Sequence, residues 1–78
     1  MQLFELDKGS RALISEVNLG PGQELLTRRL QLMGIRPGAI LEMVGRSPFG
    51  DPYIVKLNNH SFGLRKELLI KIEVTQLD

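Results

Sequence analysis

Residues 53–64 read Tyr-Ile-Val-Lys-Leu-Asn-Asn-His-Ser-Phe-Gly-Leu, and this stretch predicts a β-hairpin. Its centre is Asn58-Asn59, and asparagine tolerates the positive φ angles that a two-residue hairpin turn requires. Folding about this turn places three cross-strand pairs on one face: Leu57 with His60, Val55 with Phe62, and Tyr53 with Leu64. Because these pairs are mostly apolar, that face of the hairpin is expected to be buried.

Three further strands are predicted around the hairpin. Residues 11–17 and 39–46 carry apolar side chains in imperfect alternation, and residues 70–75 alternate more clearly through Ile70, Ile72 and Val74. Residues 65–69 predict a short helical turn before the last strand. A sheet this small must curl to bury one of its faces. The predicted fold is therefore mainly β, a small SH3-like β-barrel of about five to six strands with one α-helix between the early strands.

That helix is predicted over residues 22–33. Its apolar residues recur at helical spacing and would form one buried stripe. The residues of this stripe are Leu26, Leu30 and Met33. Glu24 lies four residues before Arg28, the favourable order for an ion pair on a helix.

A glycine and a turn follow this helix. Gly34 is expected to end it, because glycine readily adopts the left-handed conformation after the last helical residue. Ile35 would then pack back onto Leu30. Pro37 and Gly38 predict the centre of a type II turn, since proline fixes the first torsion and glycine allows the second. These residues, with Gly50, Asp51 and Pro52 of the later loop, are predicted to be structural.

Length and composition predict one small globular domain over residues 1–78. The chain has 78 residues, of which 42% are hydrophobic and 24% are charged. Ten Lys and Arg face nine Asp and Glu, and the net charge is +1. Nucleic-acid binding needs a clustered basic face, because phosphate neutralisation supplies most of the affinity. We therefore expect no nucleic-acid partner.

The same sequence bears on the cellular compartment. It has no cysteine, which fits a reducing environment and leaves no thiolate metal site. Apolar runs do not exceed three residues, whereas a membrane span needs about 20. Residues 1–7 lack the basic flank and apolar run of a signal peptide. We expect a cytoplasmic protein without direct membrane insertion, as a monomer or a weak homo-oligomer. If it works at a membrane, it does so through a partner.

Residues that could perform chemistry are few. No nucleophile and base occur in a recognisable arrangement, so no catalytic residue is assigned and the chain is not expected to be an enzyme. His60 is the single histidine, and at the end of the apolar face it is expected to be a half-buried packing residue. It is also a weak candidate for a metal ligand, although a metal site needs several ligands. We expect no cofactor and at most weak binding of Fe²⁺ or another divalent ion.

Five residues are candidates for contact with a protein partner. Arg28, Arg29 and Arg36 supply positive charge around the helix C-terminus, and Phe49 supplies an aromatic group in a loop. Phe49 is either a lid over the barrel end or an exposed anchor. Arginine and aromatic residues dominate interface hot spots. We expect these four side chains to share one end of the barrel. Arg65 follows the hairpin and is either a surface arginine or a finger that supports a G protein's transition state.

Three segments together resemble the FeoA family of ferrous-iron transport proteins. Residues 29–38, Arg-Leu-Gln-Leu-Met-Gly-Ile-Arg-Pro-Gly, resemble the signature of that family. Residues 48–52, Pro-Phe-Gly-Asp-Pro, resemble its loop, and residues 64–74 resemble its closing segment. The three occur in the family's order over nearly the whole chain. Two residues depart from the pattern: Leu69 replaces a smaller residue, and Tyr53 replaces an aliphatic one.

The resemblance implies an SH3-like domain that acts with FeoB, a membrane iron(II) transporter carrying a cytoplasmic GTP-binding domain. It implies a regulatory binding protein rather than an enzyme. A similar module forms the C-terminal domain of some metal-dependent repressors. Direct binding of nucleic acid or of metal by a small SH3-like barrel is therefore the alternative function.

Overall fold

The computed structural model describes residues 1–77. Short elements follow one another closely along the chain. In order, they are a 3₁₀ turn at Leu3–Glu5, β1 at Arg11–Val17, α1 at Glu24–Leu32, β2 at Ile40–Arg46, β3 at Tyr53–Leu57, β4 at His60–Leu64, α2 at Lys66–Leu69 and β5 at Ile72–Leu77. The mainly β class, the five strands and the single long helix are as the sequence predicts.

All five strands form one antiparallel sheet in the order β4-β3-β2-β1-β5. Its ladder is interrupted by register shifts between Ile14 and Glu16 and between Met43 and Gly45. Such bulges bend a strand and increase its twist. Across residues 1–77, β4 and β5 are the outer strands and are not paired with each other. The prediction of a closed barrel is therefore wrong for the hydrogen-bonded ladder.

Short helical segments contribute to the core of this open sheet. Leu3 of the 3₁₀ turn, Leu30 of α1 and Leu69 of α2 are 0%, 3% and 0% exposed. They join the inward side chains of the strands in one apolar cluster. The apolar face of the sheet is thus buried without pairing of its two edges.

The predicted hairpin is confirmed. β3 and β4 pair with Leu57 opposite His60, Val55 opposite Phe62, and Tyr53 opposite Leu64. Asn58 and Asn59 have φ angles of 52° and 69°, as a type I′ turn requires. The predicted burial of His60 is wrong, because His60 is exposed. It lies on an outer strand beside the turn, where no neighbouring strand covers it.

The predicted end of α1 is confirmed in detail. Gly34 has a φ of +92°. The Ile35 N–H donates to the Leu30 carbonyl at 2.8 Å, and the Gly34 N–H donates to the Gln31 carbonyl at 3.0 Å. These two hydrogen bonds define a Schellman motif. Ile35 is 0% exposed, so this motif also directs a core residue inward.

The predicted turn after this motif is also confirmed. Gly38 has a φ of +95°, and the Ala39 N–H donates to the Arg36 carbonyl at 3.1 Å. The Arg36-Pro37-Gly38-Ala39 sequence thus forms the hydrogen-bonded turn that leads into β2. This fixes Arg36 at the N-terminal end of that strand.

The start and the buried stripe of α1 differ from prediction. The helix begins at Glu24 rather than residue 22, because Gly22 has a φ of +81°, outside the helical region. Leu26 is 38% exposed, so its assignment to the buried stripe is wrong. The helix contacts the core through its C-terminal half, where Leu30 is buried. Leu26 instead lines a surface groove with Leu19 and Leu68.

Two further corrections concern the ends of the chain. β5 begins at Ile72 rather than at residue 70, because Ile70 is the C-cap of α2 and is 40% exposed. The N-terminal segment, which the sequence patterns did not assign to the core, contributes Leu3 and Leu6 at 0% and 5% exposure. A bridge between Gln2 and Glu73 holds this segment beside β5.

Candidate partner-docking site

Phe49 projects from the loop between β2 and β3. Its side chain is 94% exposed, so it does not pack over the end of the sheet as a lid. The Gly50 N–H donates to the Ser47 carbonyl at 2.9 Å, and the Ser47 N–H donates to the Pro52 carbonyl at 3.0 Å. The loop therefore has an internally bonded backbone, and it presents a large apolar side chain to solvent.

A side-chain hydrogen bond ties this loop to the start of α2. The Lys66 N–H donates to Asp51 Oδ1 at 3.0 Å. Asp51 thereby satisfies one of the backbone donors that a helix N-terminus leaves free. Arg65, the residue before α2, is exposed and lines a surface depression with Asp51. Asp51, which the sequence predicted to be structural, thus bonds the backbone of Lys66. This bond also connects the loop that carries Phe49 to the segment that carries Arg65.

Two cations and two aromatic rings form a row beside the loop. Lys66 Nζ lies 4.6 Å from the centroid of the Phe4 ring. The Phe4 ring meets the Tyr53 ring edge to face, with 5.7 Å between their centroids. Arg46 Cζ lies 5.3 Å from the Tyr53 centroid. Cations over aromatic faces are attracted by the ring quadrupole, so this row places two positive charges on one end of the sheet.

We call this surface the Phe49 end and define it by Arg46, Phe49, Arg65 and Lys66. It combines an exposed aromatic side chain with three cationic ones, the residue types found most often at interface hot spots or in electrostatic steering. The sequence alone gave no reason to add Lys66 or its neighbour Phe4. Lys66 follows the candidate residue Arg65 directly, but this adjacency alone does not predict its position over the Phe4 ring.

The arginines near α1 do not lie at the Phe49 end. Arg36 precedes β2 and Phe49 follows it, and this seven-residue strand separates them. Six steps at about 3.3 Å each put the two ends of β2 about 20 Å apart. Arg28 and Arg36 instead line a surface cleft of about 550 Å³ with Leu32. The candidate contact residues are therefore divided between two surfaces, contrary to the expectation of one.

A family model for the FeoA domain matches residues 1–76. This chain belongs to the FeoA family. The FeoA protein of Chlorobium tepidum is similar in sequence and structure, with 33% identity and a TM-score of 0.88, over 100% of this chain and 71% of that one. Iron(II) transport protein A of Clostridium thermocellum gives 35% identity and a TM-score of 0.81, over 95% of this chain and 44% of that one.

A third FeoA structure, from Stenotrophomonas maltophilia, contains zinc. It shares 28% identity and a TM-score of 0.82 with this chain, covering 99% of this chain and 95% of that one. That protein is described as a prokaryotic SH3-domain protein for which a role as a ferrous-iron transport activating factor has been suggested. ScaR, whose structure contains bound Cd²⁺, shares the fold at 19% identity and a TM-score of 0.80, over 99% of this chain and 35% of that one. A search of curated proteins gives no match.

Metal binding by this FeoA protein stays a prediction. A group of three or more His, Cys, Asp and Glu side chains that could hold a metal ion does not occur in the part of the chain that the structure describes. His60 is exposed, and its ring lies beside Phe62 with 6.5 Å between centroids. A zinc site in a protein uses three or four protein ligands. His60 alone supplies one.

We accordingly expect Zn²⁺ and anaerobic Fe²⁺ to bind the isolated FeoA protein weakly. Calorimetric titration should give a dissociation constant in the range of about 0.1 mM or weaker, as expected for an exposed single ligand. Because His60 is the one ligand on which this binding would depend, His60→Ala should weaken it further. His60→Gln, which keeps a polar side chain at the same position, serves as the control. A stoichiometric site of micromolar affinity that disappears in His60→Ala would contradict this expectation.

The FeoA chain has no helix within residues 1–77 that is long and apolar enough to cross a membrane. The Phe49 end is formed by the β2–β3 loop and the start of α2, which are held together by the bond between Asp51 and Lys66.

Proposed function

We propose that this FeoA protein is a cytoplasmic accessory factor of ferrous-iron transport that docks onto the GTP-binding domain of a FeoB-type membrane transporter. Family membership supports the role in ferrous-iron transport. The observation that supports docking is Phe49, a large apolar side chain that is 94% exposed on an internally bonded loop. Burying such a side chain in a partner's pocket would contribute about 1.5–3 kcal/mol.

The charges of the Phe49 end support an acidic partner surface. Arg46 lies three residues before Phe49, and the Asp51 hydrogen bond ties the Phe49 loop to the segment that carries Arg65 and Lys66. Positive side chains at the rim of an interface accelerate association with a negative surface. Arg65 lies at the start of a helical turn and is exposed. It is therefore available to contact a nucleotide-binding site of the partner. A non-catalytic binding role fits these features, and binding of nucleic acid has no comparable support.

Binding of the transporter's GTP-binding domain should fall at least about tenfold in Phe49→Ala, which corresponds to about 1.4 kcal/mol. The reason is the loss of the apolar anchor. The midpoint of thermal unfolding should stay within about 2 °C, since changes at an exposed residue alter stability little. The measurement is a calorimetric or interferometric titration of the domain with each variant. Arg65→Ala should also weaken binding, and more strongly at low salt, because salt screens exposed charges.

Leu32→Ala is the matched control, because it truncates an apolar side chain that is 81% exposed on the other surface. Its binding of the domain should equal that of the wild type. Arg36→Glu, which lies about a strand length away from Phe49, should also bind normally. If Phe49→Ala binds normally while Leu32→Ala or Arg36→Glu does not, the transporter docks on α1 and the Phe49 end is the wrong surface.

A further inference from the structure

The outward side of α1 exposes two leucines that the core does not use. Leu25 and Leu32 are 70% and 81% exposed. Successive residues of an α-helix are rotated by about 100°, so these two side chains, seven residues apart, lie within about 20° of each other. The buried Leu30 lies on the opposite side of the helix. The two leucines therefore form a single apolar stripe that faces solvent.

Arginines border this stripe on both sides. By the same rotation, Arg28 lies about 40° to one side of the leucine pair and Arg29 about 40° to the other. Arg36 joins Arg28 and Leu32 in the cleft of about 550 Å³ described above. We call this surface the α1 outer face and define it by Leu25, Arg28, Arg29, Leu32 and Arg36.

The positive charge of the α1 outer face is not neutralised within the chain. Glu24 is the one acidic residue that lines the cleft. It forms no ion pair with Arg28, since among residues 1–77 the ion pair within 4.0 Å is that of the Met1 amino group with Glu73. Two arginines that share a cleft can bind a phosphate group through charge-assisted hydrogen bonds.

We propose that the α1 outer face lies on an anionic phospholipid surface, with Leu25 and Leu32 entering the boundary between headgroups and acyl chains. Arg28 and Arg36 bind lipid phosphates beside them, and Arg29 adds attraction from the other side. Surface-lying helices bind membranes through this combination of exposed apolar and cationic side chains. Each cation near an anionic bilayer adds to the affinity. The contact is interfacial and needs no membrane-spanning segment.

A second copy of this chain fits the α1 outer face less well. In a two-fold dimer the same patch meets itself, so the arginines of both copies would be brought into one interface. Their mutual repulsion disfavours that contact. A purely electrostatic partner, such as a free phosphate compound, would leave Leu25 and Leu32 in water. An anionic bilayer accommodates both the leucines and the arginines.

The proposal is tested by sedimentation of the full chain with vesicles, which contain no protein, so the result is independent of transporter binding. Vesicles of phosphatidylglycerol and phosphatidylethanolamine should bind the chain, and vesicles of phosphatidylcholine should bind it at least about tenfold less, as expected when several cations contribute. Raising the salt concentration from about 0.1 M to 0.5 M should release most of it. Equal binding to both kinds of vesicle, or none, would overturn the proposal.

Variants separate the apolar and ionic parts of the contact. The double variant Leu25→Ser/Leu32→Ser and the double variant Arg28→Gln/Arg36→Gln should each lower the partition coefficient at least about tenfold. All four side chains are exposed, so both variants should fold, and circular dichroism would verify this. Phe49→Ala is the matched control and should bind vesicles like the wild type. If the leucine variant binds like the wild type, the apolar part of the proposal is wrong.

Two further measurements exclude the other occupants. Inorganic phosphate at about 10 mM, an excess for a weak site of two arginines, should not prevent vesicle binding. Amide shifts at Arg28 and Arg36 with phosphate, without vesicle binding, would indicate an anion site and overturn the proposal. Analytical ultracentrifugation should show that the leucine variant and the wild type have the same oligomeric state. A dimer that the leucine variant abolishes, again without vesicle binding, would assign the face to self-association.

Discussion

Gly34→Val is expected to lower the free energy of unfolding by about 3 kcal/mol, the sum of backbone strain and steric overlap. Gly34 has a φ of +92°, which a β-branched residue adopts only with strain. A Cβ atom at this position would lie 2.9 Å from Leu57 Cδ2. Leu57 is 3% exposed in the core, so it cannot move away freely. A domain of this size has a stability of only about 5 kcal/mol, so about 2 kcal/mol would remain and roughly 4% of the molecules would be unfolded.

A pair of alanine variants separates the two contributions. Gly38 has a similar φ of +95°, but a Cβ there would meet nothing within 4 Å. Gly38→Ala should therefore show the strain alone, and Gly34→Ala should show the strain together with the contact on Leu57. We expect the urea midpoint to fall further for Gly34→Ala than for Gly38→Ala. Equal midpoints would show that Leu57 accommodates the extra atom, and an unchanged midpoint for Gly34→Val would remove Gly34 as the helix stop.

Leu3→Ala should destabilise the fold by about 2–4 kcal/mol, as is usual when a buried leucine is truncated. Leu3 is 0% exposed, although it belongs to a three-residue 3₁₀ turn. This turn contacts both β5 and α2, so a cavity there would loosen two elements. Urea unfolding followed by circular dichroism measures the effect.

The control for Leu3→Ala is Leu25→Ala on α1, where the side chain is 70% exposed. Alanine has the highest helix propensity, so this variant should keep or slightly raise the stability. If Leu3→Ala were as stable as Leu25→Ala, the N-terminal segment would not belong to the cooperative core.

Features that depend on local chain chemistry were predictable from the sequence. Asn58 and Asn59 specify a two-residue turn because both tolerate a positive φ. The length of this turn fixes the register of the hairpin. The helix stop at Gly34 is local in the same sense, since the motif needs a left-handed residue followed by an apolar one. Both were predicted to the residue.

Features that depend on tertiary packing were not predictable in the same way. Leu26 has the spacing of a buried helix residue, but only the C-terminal half of α1 reaches the core. Leu3 and Leu6 carry no strand or helix pattern, and their burial follows from the bridge between Gln2 and Glu73. Closure of the sheet into a barrel was inferred from the small size of the sheet. In the structure, the short helical segments bury part of its apolar face, so the two outer strands need not pair.

The candidate site shows the same limit. Arg36 and Phe49 are thirteen positions apart, and their separation depends on the length and direction of β2 between them. Sequence reasoning grouped them by residue type. The structure instead ties the loop that carries Phe49 to the segment that carries Arg65 and Lys66, because the Lys66 N–H donates to Asp51. The proposed docking surface depends on the tertiary contact between the β2–β3 loop and α2, which the sequence does not predict.

The central claim, that the transporter docks on the Phe49 end, is tested most directly by amide chemical shifts. The ¹⁵N-labelled chain is titrated with the cytoplasmic GTP-binding domain of the transporter. Amides of residues 46–52 and 65–66 should shift or broaden as the complex forms, while those of residues 24–32 in α1 should remain in place. Shifts confined to the amides of α1 would contradict the claim. So would the absence of any shift at concentrations of the domain at which calorimetry shows the complex to be formed.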